Sequence, residues 1–83
     1  SDQGNLEGAI ADYTQAIQIN PNDADTYYNR GNAHHRRGNL KEAMRDYQQA
    51  ARLFQKQDAR ESYLKVANRI NRLQEKLEMN QSD

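Results

Sequence analysis

The side chains that could support catalysis or metal binding are few and poorly arranged for either. His34 and His35 are adjacent, and on a helix they would point about 100° apart, so the two imidazoles could not hold one metal ion together. Asp58 and Glu61 have the spacing of helix-capping carboxylates, which is a simpler role than an acid–base pair. The sequence has no Cys, no serine–histidine–aspartate arrangement and no glycine-rich phosphate loop. We therefore predict no catalytic residue, no metal site and no cofactor.

The size and composition of the chain indicate one small helical domain. Its 83 residues include 12 basic and 12 acidic side chains, so the formal net charge is zero, and this length suits a single domain. Large aliphatic residues are scarce while Ala, Tyr, Asn and Gln are common, which predicts thin, closely packed helices around a shallow core. Nothing resembles a signal peptide or a membrane span, and this favours a cytoplasmic location.

Charge is distributed unevenly along the chain. Residues 1–29 hold five acidic and no basic side chains, whereas residues 30–72 hold eleven basic and four acidic ones. Such a separation is typical of either a nucleic-acid surface or a surface on which copies of the chain complement one another. Both alternatives stay open at this point.

The sequence repeats itself at an offset of 34 residues. The matches fall at small, aromatic and turn positions, without a gap, which makes a structural repeat the natural interpretation. The identical pairs are Gly4 with Gly38, Asn5 with Asn39, Leu6 with Leu40, Ala9 with Ala43, Asp12 with Asp46, Tyr13 with Tyr47, Gln15 with Gln49 and Ala16 with Ala50.

Each copy predicts an amphipathic helix. Apolar and small residues recur at intervals of three and four from Leu6 to Ile17, which places them on one helical face. Asn5 stands at the N-cap position, and Pro21 predicts the end of the helix because the residue before a proline avoids helical dihedral angles. The second copy, residues 40–54, repeats the same stripe.

The segment between the copies predicts another helix, from Asp23 to Arg37. Gly38 stands where a helix end needs a left-handed residue, and the turn is so short that this helix and the next must form an antiparallel hairpin. Gly31 in mid-helix costs about 1 kcal/mol relative to Ala. We therefore expect Gly31 to allow close approach of the following helix, with Ala43 as its contact.

Residues 24–56 resemble one complete tetratricopeptide repeat (TPR), a family with a 34-residue period. Residues 4–22 resemble the second half of a preceding repeat, and the pattern is similar to that of bacterial, especially cyanobacterial, members. Arg30 departs from the family, which usually has Leu there. The residues that carry the resemblance are Tyr27, the run Tyr28-Asn29-Arg30-Gly31-Asn32, Gly38, Ala43, Tyr47 and Ala50.

The C-terminal segment does not continue the repeat, because Lys65 stands where the register requires a small residue such as Gly31. Residues 57–79 instead predict one longer helix that ends near Glu78 and carries a narrow apolar seam. Resemblance to the family implies a capping helix that closes the array, although a coiled-coil seam between two chains is an alternative. The seam consists of Tyr63, Val66, Ile70, Leu73 and Leu77.

The expected fold is therefore an all-α, TPR-type antiparallel helical hairpin array, an α-solenoid fragment of about four helices within a single domain, residues 1–83. The resemblance implies a non-catalytic scaffold that binds a partner protein or peptide on its concave surface. Residue spacing independently places the implied groove residues on one helical stripe. They are Asp25, Tyr28, Asn29, Asn32, His35 and Arg36.

Two further expectations concern binding partners. Nucleic-acid binding through the basic segment 30–72 is the alternative function, although its arginines spread over several helix faces. Self-association of the isolated chain is expected because the first helix would lack a covering helix on one flank. The residues expected on that flank are Ile10, Tyr13, Ile17 and Ile19. We expect no membrane partner.

Overall fold

The computed structural model describes residues 3–81, and these form four α-helices with no strand. The helices are α1 (Gln3–Ile19), α2 (Ala24–Arg37), α3 (Leu40–Lys56) and α4 (Arg60–Gln81). Consecutive helices pack against each other in the order α1, α2, α3, α4. The expected all-α helical repeat architecture is thereby confirmed.

Gly38 reverses the chain between α2 and α3. Its φ is 91°, in the left-handed region, and its backbone N–H donates to the His35 carbonyl at 3.0 Å. The N–H of Asn39 donates to the His34 carbonyl at 2.9 Å. This pair of bonds satisfies carbonyls that the helix end would leave open, and it sets α3 antiparallel to α2.

Asp58 ends α3 as Gly38 ends α2. The sequence had instead predicted that Asp58 caps the start of α4. Its φ is 60°, and the N–H of Ala59 donates to the Phe54 carbonyl at 2.9 Å. Asp58 therefore ends α3 in the left-handed conformation, which Asp tolerates better than most residues. The prediction that it caps α4 was wrong, because α4 begins only at Arg60.

The N-terminal ends of the helices agree with the sequence only in part. Asp23 and Asn39 occupy the N-cap positions of α2 and α3, but neither side chain forms a capping hydrogen bond. Asp23 Oδ2 instead accepts a hydrogen bond from Thr26 Oγ1 at 2.9 Å. The predicted N-cap at Asn5 was wrong, because α1 begins at Gln3 and includes it.

The core is shallow and centred on α3, which contributes most of its residues. Tyr47 and Val66 are the largest fully buried side chains, at 1% exposure each. The partly buried Tyr63, Ile70 and Leu77 of α4 pack against the same cluster. The predicted seam of α4 is thus covered within the chain, and the coiled-coil interpretation of it was wrong. The buried cluster comprises Ala24, Ala43, Tyr47, Ala50, Leu53, Phe54, Val66 and Leu73.

Gly31 allows α2 and α3 to pack closely against each other. A Cβ atom added there would lie 2.8 Å from Tyr47 Cε1 and 3.3 Å from the Ala43 carbonyl oxygen. The first distance is shorter than side chains tolerate, so the glycine is required for this packing. The predicted contact with Ala43 is present, and the Tyr47 ring is closer still.

Arg30 links three helices through a largely buried polar network. Its Nε and Nη2 donate to the two carboxylate oxygens of Asp46 in α3, at 2.8 Å each, and its Nη1 donates to Thr14 Oγ1 in α1 at 3.2 Å. The Asp46 side chain is 7% exposed. The hydrogen bonds to Asp46 are the main reason that the pKa of Arg30 is raised. The ion pair with Asp46 explains why Arg30 is present at a position where tetratricopeptide repeats usually have Leu.

His34 lies beside this network. Its Nε2 is 3.8 Å from Asp46 Oδ2, and its buried Nδ1 has no hydrogen-bond partner among the described residues. Burial lowers the pKa of His34, although the Asp46 carboxylate opposes that shift. The imidazole is therefore neutral at pH 7, and it contributes packing rather than charge.

α1 is covered less completely than α3, its repeat counterpart. Ile19 is 86% exposed, whereas Leu53, 34 residues later, is 6% exposed. Tyr13 is half-buried, whereas the corresponding Tyr47 is 1% exposed. The reason is that α3 packs between α2 and α4, while α1 packs on α2.

Candidate functional site

A concave feature lies between α2 and α4, with α3 at its base. It is an open groove of about 460 Å³, which we call the α2–α4 groove. Its volume falls within the range of sites that bind small ligands or short peptide segments. The residues that line it are His35 from α2, Tyr47 from α3, and Arg69, Arg72, Leu73 and Lys76 from α4.

A hydrogen-bonded cluster holds the edge of this groove together. Asn32 Oδ1 accepts hydrogen bonds from the Tyr47 hydroxyl at 2.6 Å and from Arg69 Nη1 at 3.0 Å. Both bonds use the carbonyl oxygen of the Asn32 amide, so its NH₂ group remains the half that can donate to an incoming peptide carbonyl. α2, α3 and α4 are therefore tied to one another at this edge.

Tyr28 extends the cluster with an aromatic surface. Its ring centroid lies 5.9 Å from that of Tyr47, at an interplanar angle of 44°. The Arg69 guanidinium carbon lies 5.7 Å from the Tyr28 ring centroid, within the range of a cation–π contact. Arg69 is thus oriented by a ring and by an amide at the same time.

The electrostatic environment of the groove is positive. Burial lowers the pKa of His35, and the neighbouring charges of Lys76 and Arg69 lower it further. Burial also raises the pKa of the Tyr47 hydroxyl. At neutral pH both groups are uncharged, and Arg69, Arg72 and Lys76 supply the charge of the lining.

Three of the six predicted groove residues come together here, and three do not. Tyr28, Asn32 and His35 are half-buried, and they belong to the groove lining or to the cluster at its edge. Asp25, Asn29 and Arg36 are solvent-exposed, and none of them lines the groove.

The sequence interpretation missed the contribution of α4, which supplies every permanent charge of the lining. A signal was nevertheless present, because Lys65, Arg69, Arg72 and Lys76 recur at intervals of four, three and four, which makes one helical stripe.

Several other basic side chains are engaged in contacts within the chain. Besides Arg30 with Asp46, Arg37 Nη2 lies 2.7 Å from Glu7 Oε2, and Arg52 donates to Gln49 Oε1. No ion pair within the part of the chain that the structure describes engages Arg69, Arg72 or Lys76. The same is true of Lys41, Arg45 and Lys56 on α3, so cations without an acidic partner in an ion pair of the described residues lie on both α3 and α4.

The structure also bears on metals and membranes. In the described residues, no three His, Asp or Glu side chains come together in a way that could hold a metal ion. Within residues 3–81, no helix has both the length and the apolar character needed to cross a membrane.

The predicted self-association residues lie on α1 with different exposures. Ile10, Tyr13 and Ile17 are half-buried, which is the partial cover expected from α2 alone. Ile19 is one of three strongly exposed large apolar side chains in the described residues, the others being Leu64 and Met79 of α4.

Comparison with known proteins places these features in context. A sequence model described as TPR repeat matches residues 2–38, and a model described as Tetratricopeptide repeat matches residues 24–57. The two matches overlap on α2 and together span α1 to α3. A comparison with curated proteins gave no significant match.

Proposed function

Because the chain belongs to the tetratricopeptide repeat family, we propose that it is a non-catalytic scaffold that binds a partner protein or peptide through the concave surface between α2 and α4. Repeats of this family generally mediate protein–protein interaction. The observation that supports this surface is the α2–α4 groove, where Tyr28, Asn32 and His35 meet the basic stripe of α4. An amide at the edge and buried side chains at the base suit an extended peptide.

The proposal can be tested with peptides selected from a random library against the whole chain. We expect a selected peptide to shift the backbone amide resonances of α2 and α4, and to bind weakly because one groove buries less than a standard interface of about 800 Å² per partner. Changing Asn32 at the groove edge and Arg72 in its lining together to Ala should weaken that binding.

A matched control removes one amide and one arginine from exposed positions of α3, by changing Gln48 and Arg45 to Ala. This variant should bind as the parent does, and circular dichroism should show that both variants are folded. Equal affinity of the parent and the Asn32/Arg72 variant, or resonance shifts confined to α1 and the outer side of α3, would contradict the assignment.

We also infer that the isolated chain self-associates through the flank of α1. The exposure of Ile19, set against the burial of its counterpart Leu53, supports this inference, since burying an Ile is worth roughly 1.5 to 3 kcal/mol. The acidic N-terminal segment and the basic α4 stripe add favourable charge between copies. Ile10, Tyr13 and Ile17 would lie at the same interface.

Sedimentation equilibrium over a wide concentration range tests self-association. We expect Ile19→Lys to weaken it by about tenfold or more, because a charge would replace a buried apolar contact. Leu64→Lys, at the exposed Leu of α4, is the matched control and should have little effect. A chain that stays monomeric at the highest concentration would rule the interface out.

A further inference from the structure

A second basic surface lies on α3, on the side opposite its buried face. Four cationic side chains recur along it at intervals of four, seven and four residues. At about 100° per residue they fall within about 60° of one another, and they extend for about 22 Å along the helix. All four are exposed, whereas Ala43 and Ala50 on the opposite side are fully buried. The residues of this outer stripe of α3 are Lys41, Arg45, Arg52 and Lys56.

The cations of the outer stripe are not neutralised by the rest of the chain. No ion pair within the described residues engages any of the four. Arg52 donates two hydrogen bonds to Gln49 Oε1, at 2.7 and 3.3 Å, which restrain its guanidinium. Of the two acidic residues of α3, Asp46 is buried against Arg30, and Glu42 lies about 40° beyond the edge of the stripe. The stripe is therefore a line of positive charge on the surface.

This charge belongs to α3 and not to the repeat. The residues 34 positions earlier are Glu7, Ala11, Gln18 and Asn22, which include one acid and no base. These four residues are exposed, as are their counterparts in the stripe. The helical framework that the two copies share therefore does not require positive charge at these positions, and a binding role accounts for it better than packing does.

The other side chains of the stripe indicate which polyanion it fits. Gln48 and Gln55 are exposed on the same side of α3, and their amides can donate to phosphate and sugar oxygens. None of the three strongly exposed large apolar side chains of the described residues lies on α3. The stripe therefore lacks the apolar centre of a protein interface and the apolar face that holds a helix in a membrane surface.

The stripe also lacks an aromatic side chain. The aromatic residues of α3, Tyr47 and Phe54, are both buried. Proteins that bind single strands without sequence preference stack the bases on exposed rings, so the stripe suits a duplex, whose bases are already paired and stacked. A duplex presents one negative charge per about 1.7 Å of its axis, so a stripe of about 22 Å meets more phosphates than it has cations.

We propose that the outer stripe of α3 binds the phosphate backbone of double-stranded nucleic acid, without reading the base sequence. Each of the four cations contacts a phosphate, and the glutamine amides donate to oxygens between them. The surface is separate from the α2–α4 groove, because Tyr47 at the base of that groove belongs to the buried side of α3. The inference is therefore independent of the proposed scaffold function.

Fluorescence anisotropy of the whole chain with short labelled duplexes tests the proposal. We expect weak binding at low ionic strength, with equal affinity for two DNA duplexes of unrelated sequence. The logarithm of the association constant should fall with the logarithm of the salt concentration, with a slope of about −3.6 for four phosphate contacts. Binding of a DNA or an RNA duplex supports the proposal, and their ratio identifies the preferred backbone. A chain that binds neither at low salt would overturn it.

Two double charge reversals of the same kind locate the binding. Lys41→Glu/Arg45→Glu changes the outer stripe, and Arg72→Glu/Lys76→Glu changes one arginine and one lysine at the same spacing on α4. Both variants have the same net charge, so general repulsion of the duplex is equal. We expect the α3 variant to bind about tenfold or more weakly than the α4 variant, with a salt slope smaller than that of the parent by about 1.8.

Equal affinities of these two variants would show that the outer stripe is not the binding surface. All four substituted positions are exposed, and circular dichroism checks that both variants are folded. If the α3 variant is unfolded, Arg52→Gln/Lys56→Gln takes its place, because it removes two cations from the other end of the stripe without adding acidic charge. It should reduce the salt slope by the same amount, about 1.8.

Two further probes separate the duplex from other anionic partners. These are polyglutamate with the same number of charges as the duplex, and vesicles of phosphatidylcholine and phosphatidylserine. We expect both to bind more weakly than the duplex. Tighter binding of polyglutamate would assign the stripe to an acidic protein, and tighter binding of vesicles would assign it to a membrane surface. A duplex that displaces a library-selected peptide would lie in the α2–α4 groove. Each of these three results overturns the proposal and leaves the scaffold function standing.

Discussion

Replacing Gly31 with Leu should lower the free energy of unfolding by roughly 1 to 3 kcal/mol or more, the usual cost of overpacking a core. Even a methyl group there would lie 2.8 Å from Tyr47 Cε1. The ring of Tyr47 is fully buried and its hydroxyl is bonded to Asn32, so it cannot move aside without opening the hairpin. Urea and thermal unfolding, followed by circular dichroism, measure the effect.

Gly8 provides the matched control for this experiment. It also lies within a helix, but a Cβ added there meets no atom within 4 Å. Gly8→Leu should therefore leave stability unchanged or raise it by up to about 1 kcal/mol, because Leu is the better helix former. If Gly31→Leu unfolded at the same midpoint as the parent, the close contact between α2 and α3 would be refuted.

Arg30→Leu should destabilise the protein by roughly 3 to 5 kcal/mol, the range seen when one partner of a buried ion pair is removed. The substitution leaves the carboxylate of Asp46, which is 7% exposed, without its two hydrogen bonds from Arg30. The double variant Arg30→Leu/Asp46→Leu removes both charges, and it should recover most of the loss because apolar replacement of a buried pair is often neutral or stabilising.

The exposed pair of Arg37 with Glu7 is the control for this second prediction. Its side chains are 34% and 58% exposed, so Arg37→Leu should cost less than about 1 kcal/mol. Equilibrium urea unfolding of the parent, Arg30→Leu, Asp46→Leu and the double variant gives the coupling between Arg30 and Asp46. Equal stabilities of Arg30→Leu and Arg37→Leu would show that the buried pair contributes no more than a surface one.

The two predictions concern features that the sequence revealed to different degrees. Gly31 is conspicuous in the sequence, since glycine is costly within a helix. The short turn at Gly38 makes α2 and α3 an antiparallel hairpin, and this places Gly31 next to α3. The Arg30–Asp46 pair could not be inferred from spacing, because the two residues lie on different helices, and only the packing of α2 on α3 brings the guanidinium to the carboxylate.

The sequence could likewise predict only some of the residues of the α2–α4 groove. Tyr28, Asn32 and His35 share one helical stripe, so the sequence could assign them to a common face. Their neighbours on α4 could not be assigned from the repeat register, because α4 departs from that register at Lys65. Arg69 reaches Asn32 across 37 residues of sequence, a distance over which local periodicity carries no information.

By itself, the sequence determined the helices, the hairpin and the family, because these depend on local periodicity, on a left-handed turn at Gly38 and on a 34-residue repeat. It misplaced the role of Asp58, since Asp is equally suited to cap a helix start and to adopt the left-handed conformation at a helix end. Only the tertiary structure decided which side of α4 faces α2, and therefore that Arg69, Arg72 and Lys76 line the groove. The physical reason is that burial of Val66 and Leu73 against α3 sets the rotation of α4, and that rotation determines where its charges lie.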